Sequence, residues 1–207
     1  WADKRDVAPR VRQAIDTPPA PPDTEARHRA LVGAVGIRTD HAGIEGDTAA
    51  VDEQTITEEG LSLRLRDYQR FGVRAALHHR RLLIADEPGL GASVQALGLL
   101  ANMGEGHHMV IASRGQQTAW AREISRRTRL PVFQLLDPEA SDMWHALGGV
   151  AIATHDDAPD PCPRLGVLVI DDAHYLRERT GRRASVAAEL SERSDHVLLL
   201  TSDPGFR

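Results

Sequence analysis

From Leu61 onward the chain alternates short, continuous apolar runs with longer amphipathic ones, and this constrains its fold more than any other feature. The apolar runs are "RLLIAD", "HMVIAS", "PVFQLL", "VAIAT", "GVLVID" and "HVLLLTS". Each is of strand length and apolar at consecutive positions, so neither face can meet water. Between them lie "SVQALGLLANM", "QQTAWAREISRRT", "EASDMWHAL" and "RRASVAAELSER", and "LRDYQRFGVRAAL" precedes the first run with apolar positions at helical spacing. Strands buried on both faces and separated by helices predict a doubly wound, mostly parallel α/β sheet.

In such a sheet, ligands bind at the carboxyl ends of the strands. The residues there are "DEPGLGAS", "SRGQQ", "THDD", "DDAH" and "TSDP". "DEPGLGAS" has the form of a phosphate-binding loop: an apolar run, a glycine turn and a following helix. Lysine is expected between the second glycine and the hydroxyl residue. Ala92 stands there instead, followed by Ser93. "VLVIDDAH" ends a strand in two carboxylates, as a P-loop enzyme presents its metal-holding aspartate.

Composition sets the remaining bounds. With 41% hydrophobic and 27% charged residues, the chain reads as a soluble globular protein. No run approaches the ~18 apolar residues of a membrane span, so no membrane partner is expected. The one cysteine, Cys162, cannot form an internal disulfide and suits a reducing compartment, with cytoplasm the expected location. The net charge of −5 resides in residues 1–60, where 12 acidic side chains face 7 basic ones; residues 61–207 carry 18 of each. Residues 1–60, with "DTPPAPPDTE" and a short helix expected at 24–35, read as a flexible acidic segment or linker. Residues 61–207 read as the globular lobe. The 24 arginines against one lysine suit a GC-rich genome. That bias does not produce alanine at position 92.

The order "LRDYQRFGV", "LIADEPGLGAS", "VIASRGQQTAWAREI", "VAIATHDD", "LVIDDAH", "LLLTSDP" resembles the first RecA-like lobe of Swi/Snf-type ATPases in the second helicase superfamily, over Leu65 to Pro204. The resemblance implies an ATP- and Mg²⁺-dependent lobe that contacts DNA and works against a second RecA-like lobe or a partner protein. It places Gln69 at the adenine edge, and Gly89, Leu90 and Gly91 around the phosphates with Ala92 and Ser93. Ser93 and Asp171 would hold Mg²⁺. Asp172 takes the position of the water-orienting carboxylate. His174, Thr201, Ser202 and Asp203 fall in the segments that couple the nucleotide site to motion.

Arg114, Arg122 and Arg126 are the candidate DNA-backbone contacts. Arg127 and Arg129 extend this basic cluster, which also reads as a solvated face. Trp120 and Ile124, spaced i,i+4, read as the buried face of a helix, and Met109 and Met143 as core fillers. Histidine pairs at 78–79 and 107–108 lack zinc spacing, and no zinc is expected.

Three departures fall on the chemistry. Ala92 removes the cation that neutralises phosphate charge. Arg80 and Arg81 precede the first strand and should lie at its far end. Asp172 is one methylene shorter than the glutamate of the family pattern, and Ser202 and Asp203 replace glycine and threonine. The second lobe is not in this sequence, and the resemblance expects it elsewhere. The leading expectation is an ATPase-deficient lobe serving as a DNA-associated or partner-binding module. A fragment or knockout form of an active translocase and a purely protein-binding scaffold remain the alternatives.

Overall fold

A computed structural model describes residues 48–177 and 182–202. The helix expected at 24–35 and the candidate Asp203 lie outside these. Six strands form one all-parallel sheet: β1 (Arg81–Ile84), β2 (His107–Ile111), β3 (Val132–Gln134), β4 (Gly149–Ala153), β5 (Leu165–Ile170) and β6 (Ser194–Leu200). Their order across the sheet is β1-β6-β5-β2-β4-β3. The helices are α1 (Thr48–Asp52), α2 (Asp67–His79), α3 (Ala92–Met103), α4 (Arg114–Arg127), α5 (Pro138–Leu147) and α6 (Arg182–Glu192), with a 3-10 turn over Ala173–Arg177. All six apolar runs are strands and all five amphipathic runs are helices.

Strand alternation divides the core in two. Met109, Ile111, Leu168, Ile170, Val197 and Leu199 face a cluster with Trp144 of α5 and Ala187 and Leu190 of α6. Their neighbours Val110, Val167, Val169, Leu198 and Leu200 face the other way, against Ala76 of α2, Leu97 and Leu100 of α3, and Trp120 and Ile124 of α4. Helices on both faces explain why these strands are apolar at every position. Trp120 and Ile124 are buried as their spacing predicts, and so is Met109. Met143 is not: it is 46% exposed. Helix α5 lies over β3 and β4 at the sheet edge, so a narrow stripe around Trp144 suffices to cover it.

The packed body reaches back before Leu61. Val51 of α1 is buried. The Thr57 N–H donates to Asn102 Oδ1 of α3 at 2.7 Å, and Asn102 Nδ2 returns a bond to the Thr57 carbonyl at 3.0 Å. No helix among the described residues is long and apolar enough to cross a membrane.

His108 lies inside this sheet on β2, 1% exposed. Its Nε2 donates to the Gly104 carbonyl at 3.0 Å, while Nδ1 has no partner among the described residues. Gly166 on the neighbouring β5 leaves the ring its room, since a Cβ there would lie 2.8 Å from His108 Cε1. Burial holds the imidazole pKa below its ordinary value, against the bond to Gly104. The unfolded chain therefore binds this proton first. Stability from this group is complete above pH ~6.5 and declines as pH falls toward the folded pKa, by at most about 1.4 kcal/mol per pH unit. His108→Gln keeps an N–H donor and cannot titrate. Calorimetric melting between pH 7.5 and 5.5 should show a shallower acid loss in the variant; parallel curves would exclude His108 as the proton acceptor.

Candidate nucleotide and DNA site

Because every strand is parallel, all their carboxyl ends open on one edge. Across it the sheet order places, in turn, the 85–91 loop after β1, Thr201 and Ser202 after β6, Asp171 and Asp172 after β5, Ser113 and Arg114 after β2, and Thr154 to Asp157 after β4. The nucleotide candidates thus share one half of the edge and Arg114 lies in the other. A cavity of about 740 Å³ at the amino ends of β2 and β4, lined by Gly104, Gly106 and Gly149, is on the opposite edge.

The glycine loop has the conformation its residues predict. Gly89 and Gly91 take φ of +91° and +86°, a region open to glycine at little cost. Gly91 is also the N-cap of α3, whose first N–H groups have no acceptor within their own helix. These donors and the helix dipole suit a phosphate. The loop is braced from α2. The Leu90 carbonyl accepts from Tyr68 Oη at 2.7 Å and from Gln69 Nε2 at 3.1 Å, and Gln69 Oε1 accepts from the Arg66 N–H at 3.0 Å. Gln69 is 6% exposed, so in this structure the amide expected at the adenine edge holds the loop to α2.

Ala92 begins α3, with its methyl partly buried against the α2–α3–α4 side of the core, and Ser93 beside it is exposed. Arg81 is at the amino end of β1, where its guanidinium bonds the Ser191 carbonyl at 3.2 Å. It is placed as the sequence predicts, on the edge away from the loop.

The carboxylates are held with equal care. Asp171 follows β5, and its N–H donates to the Ile111 carbonyl at the end of β2. Its Oδ2 accepts from the Trp120 indole at 2.8 Å and its Oδ1 from the Asp172 N–H at 2.9 Å. Burial pushes the Asp171 pKa up, and the Trp120 bond is the largest influence opposing it. Asp172 has φ of +50°, uncommon outside glycine although aspartate tolerates it better than most residues. Asp86, in the loop itself, accepts from Gln95 Nε2 at 2.6 Å, and burial raises its pKa too.

His174 Nδ1 lies 3.4 Å from Thr201 Oγ1, and the Thr201 N–H donates to the Ile84 carbonyl. The segments after β5, β6 and β1 are therefore in contact. Ser202 is exposed. Arg114 pairs with Asp157 at 3.1 Å, and Asp157 also accepts from Thr154 Oγ1 at 2.7 Å. Arg122 and Arg126 on α4 are exposed, whereas Arg127 pairs with Glu123 at 3.4 Å. Sequence reading missed Tyr68, Gln95, Asp157 and the polar role of Trp120. "DYQ" beside the expected adenine contact was a signal for Tyr68; Gln95 meets Asp86 across the glycine loop, and Asp157 and Trp120 depend on which strands are neighbours.

Among the described residues no group of three or more His, Cys, Asp or Glu could hold a metal. Ser93 and Asp171 alone are a set that Mg²⁺ accepts, since it keeps most of its waters and takes phosphate oxygens. The residues fit a Mg²⁺–nucleoside polyphosphate in cradle and metal donors, and fall short in cationic charge. When bound, Mg²⁺ would neutralise phosphate charge.

The chain is similar in sequence and in fold to known proteins. The chain is 28% identical over 172 residues to a SWI/SNF-related matrix-associated actin-dependent regulator of chromatin subfamily A-like protein 1 homolog of Caenorhabditis elegans, a match covering 76% of the chain and 24% of that protein. A putative DNA 3'-5' helicase Rad25 of Haloarcula marismortui is 30% identical over 154 residues, covering 71% and 24%. Helicase swr1 of Schizosaccharomyces pombe is 28% identical over 165 residues, covering 68% and 12%. The chain thus spans a quarter or less of the length of these relatives. In fold it is similar to the Sulfolobus solfataricus SWI2/SNF2 ATPase core in complex with dsDNA, with a TM-score of 0.65 at 17% identity over 72% of this chain and 34% of that one. The UvsW helicase of bacteriophage T4 gives 0.53 at 16% over 77% and 60%. No protein-family model matches the chain.

Proposed function

We propose that this chain, which belongs to the Swi/Snf-type helicase-like ATPases, is a lobe that has lost ATP hydrolysis and serves as a DNA-associated or partner-binding module. Ala92 carries the reading. The loop around it keeps its glycine conformations, its bracing from Tyr68 and Gln69 and its helix N-terminus. Only the side chain that meets phosphate charge is replaced by a methyl group. Charge stabilisation supplies most of the catalysis in phosphoryl transfer, so its loss weighs more on turnover than on binding. The shorter Asp172 adds to the same deficit. A second RecA-like lobe, supplied elsewhere, would complete the other wall of the site. The contact of His174 with Thr201 favours one further reading, an altered form of an active translocase, because the coupling segments remain joined.

For DNA, Arg122 and Arg126 offer cations in solvent, while Arg114 is neutralised by Asp157. Anisotropy titration with a labelled duplex should show binding that weakens steeply with salt, with a log–log slope of about −0.9 per phosphate contacted. Arg122→Ala with Arg126→Ala should flatten that slope. Asp157→Asn releases Arg114 and should tighten binding about two- to fivefold, the scale of one exposed ion pair. Phosphate release from ATP should stay at background with or without the duplex. DNA-stimulated turnover by the native chain would sink the reading.

A further inference from the structure

We infer that Trp120 is a positioning residue for Asp171: its indole N–H fixes the rotation of the carboxylate that would face Mg²⁺. The inference rests on reading Asp171 as the metal-holding group. Trp120 lies midway along α4, 5% exposed, with its ring in the apolar cluster shared with Ile124 and Val169. Packing alone needs only an aromatic ring of that size. The indole adds one donor, and a buried donor without a partner is costly. That donor is spent on Asp171 Oδ2 at 2.8 Å.

The other oxygen is fixed independently. Asp171 Oδ1 accepts from the Asp172 N–H at 2.9 Å, and the Asp171 backbone is tied to Ile111 at the end of β2. Two donors on two different oxygens set the plane of the carboxylate, where one alone would leave it free to turn. An ionised carboxylate has about four lone-pair sites, so these two bonds leave acceptor capacity on both oxygens for a metal or its waters. This is the outer-sphere arrangement that orients metal-binding carboxylates, with the donor coming from a helix 51 residues away in sequence. The bond also opposes the burial that raises the Asp171 pKa, and so favours the ionised form that a cation needs.

The test uses two readouts. In ¹H–¹⁵N spectra the chain has three indoles, Trp1, Trp120 and Trp144, and Trp120→Phe identifies the Trp120 signal by its loss. In the native chain that signal should lie downfield, as an indole N–H bonded to a carboxylate does. Asp171→Asn, which replaces the charged acceptor by a neutral one, should move it upfield. This measurement needs no nucleotide and does not depend on the Phe variant retaining full stability.

The second readout is calorimetry in the Ala92→Lys background, with Mg²⁺–ATP and with metal-free ATP. Trp120→Phe should weaken Mg²⁺–ATP about tenfold, the scale of one hydrogen bond to a charged group, and leave metal-free ATP nearly unchanged. A Trp120 signal indifferent to Asp171 overturns the positioning role, and so does an equal loss of affinity with and without metal. If Ala92→Lys with Trp120 intact binds no Mg²⁺–ATP, the nucleotide reading fails instead, and the response of the indole signal to Asp171→Asn alone decides the positioning role.

Discussion

Ala92→Lys should tighten Mg²⁺–ATP binding about ten- to a hundredfold over the native chain in titration calorimetry. A hydrogen bond to a charged group contributes about 1.5–3 kcal/mol, and each 1.4 kcal/mol is a factor of ten. The loop that would meet the phosphates is formed: Gly89 and Gly91 are at positive φ, the Leu90 carbonyl is held from α2, and Ser93 is exposed at the first turn of α3. The substitution has an opposing cost. Position 92 opens α3, where the helix dipole is positive, so a lysine there should lower the stability of the ligand-free chain by about 0.3–1 kcal/mol. Phosphate reverses that sign. The variant should melt slightly below the native chain alone and above it in saturating Mg²⁺–ATP. Turnover should stay low, because Asp172 remains short of the reach that orients water. If neither protein binds, the defect extends beyond position 92, and a scaffold with no nucleotide role becomes the better account.

The strands were legible because this sheet is buried on both faces, which makes each strand apolar at every position. Helix α1 was not, since "TAAVD" offers one large apolar residue, Val51, and its burial depends on α2. Nor was the strand order. Six parallel strands admit many orders, and the one found puts β5 beside β2, which brings Trp120 of α4 to Asp171. Gln69 illustrates the same limit. Its residue type suits an adenine edge, but its amide is engaged by a carbonyl 21 residues away. The glycine loop could be read in full because its conformation is local, set by the φ that Gly89 and Gly91 permit.

Gly72→Ala should cost the fold about 2–4 kcal/mol, and more of it at neutral pH than in acid. A Cβ at Gly72 would stand 1.7 Å from Gln95 Oε1 and 2.8 Å from its Cδ. Gln95 is 4% exposed and has little room to retreat. Such overpacking costs about 1–3 kcal/mol, while the better helix propensity of alanine returns at most about 1 kcal/mol.

The larger effect lies one bond further on. Displacing Gln95 removes the donor 2.6 Å from Asp86, and burial already raises the pKa of that carboxyl. A fully buried acceptor stripped of its partner costs about 1–3 kcal/mol, and the half-buried Asp86 part of that. Asp86 without its donor titrates still higher in the folded state, so its penalty is absent below pH ~3.8 and grows as pH rises through the folded pKa. Urea unfolding at pH 4.5 and pH 7.5 should therefore give the larger difference between variant and native at pH 7.5. Removing Gln95 as well, in Gly72→Ala with Gln95→Ala, relieves the clash but leaves the Asp86 charge unpaired, and should recover stability mainly at the lower pH. Equal losses at both values would mean that Gly72 matters only for space. Unequal losses tie the glycine of "RFGV" on α2, through Gln95, to the aspartate that opens the glycine loop.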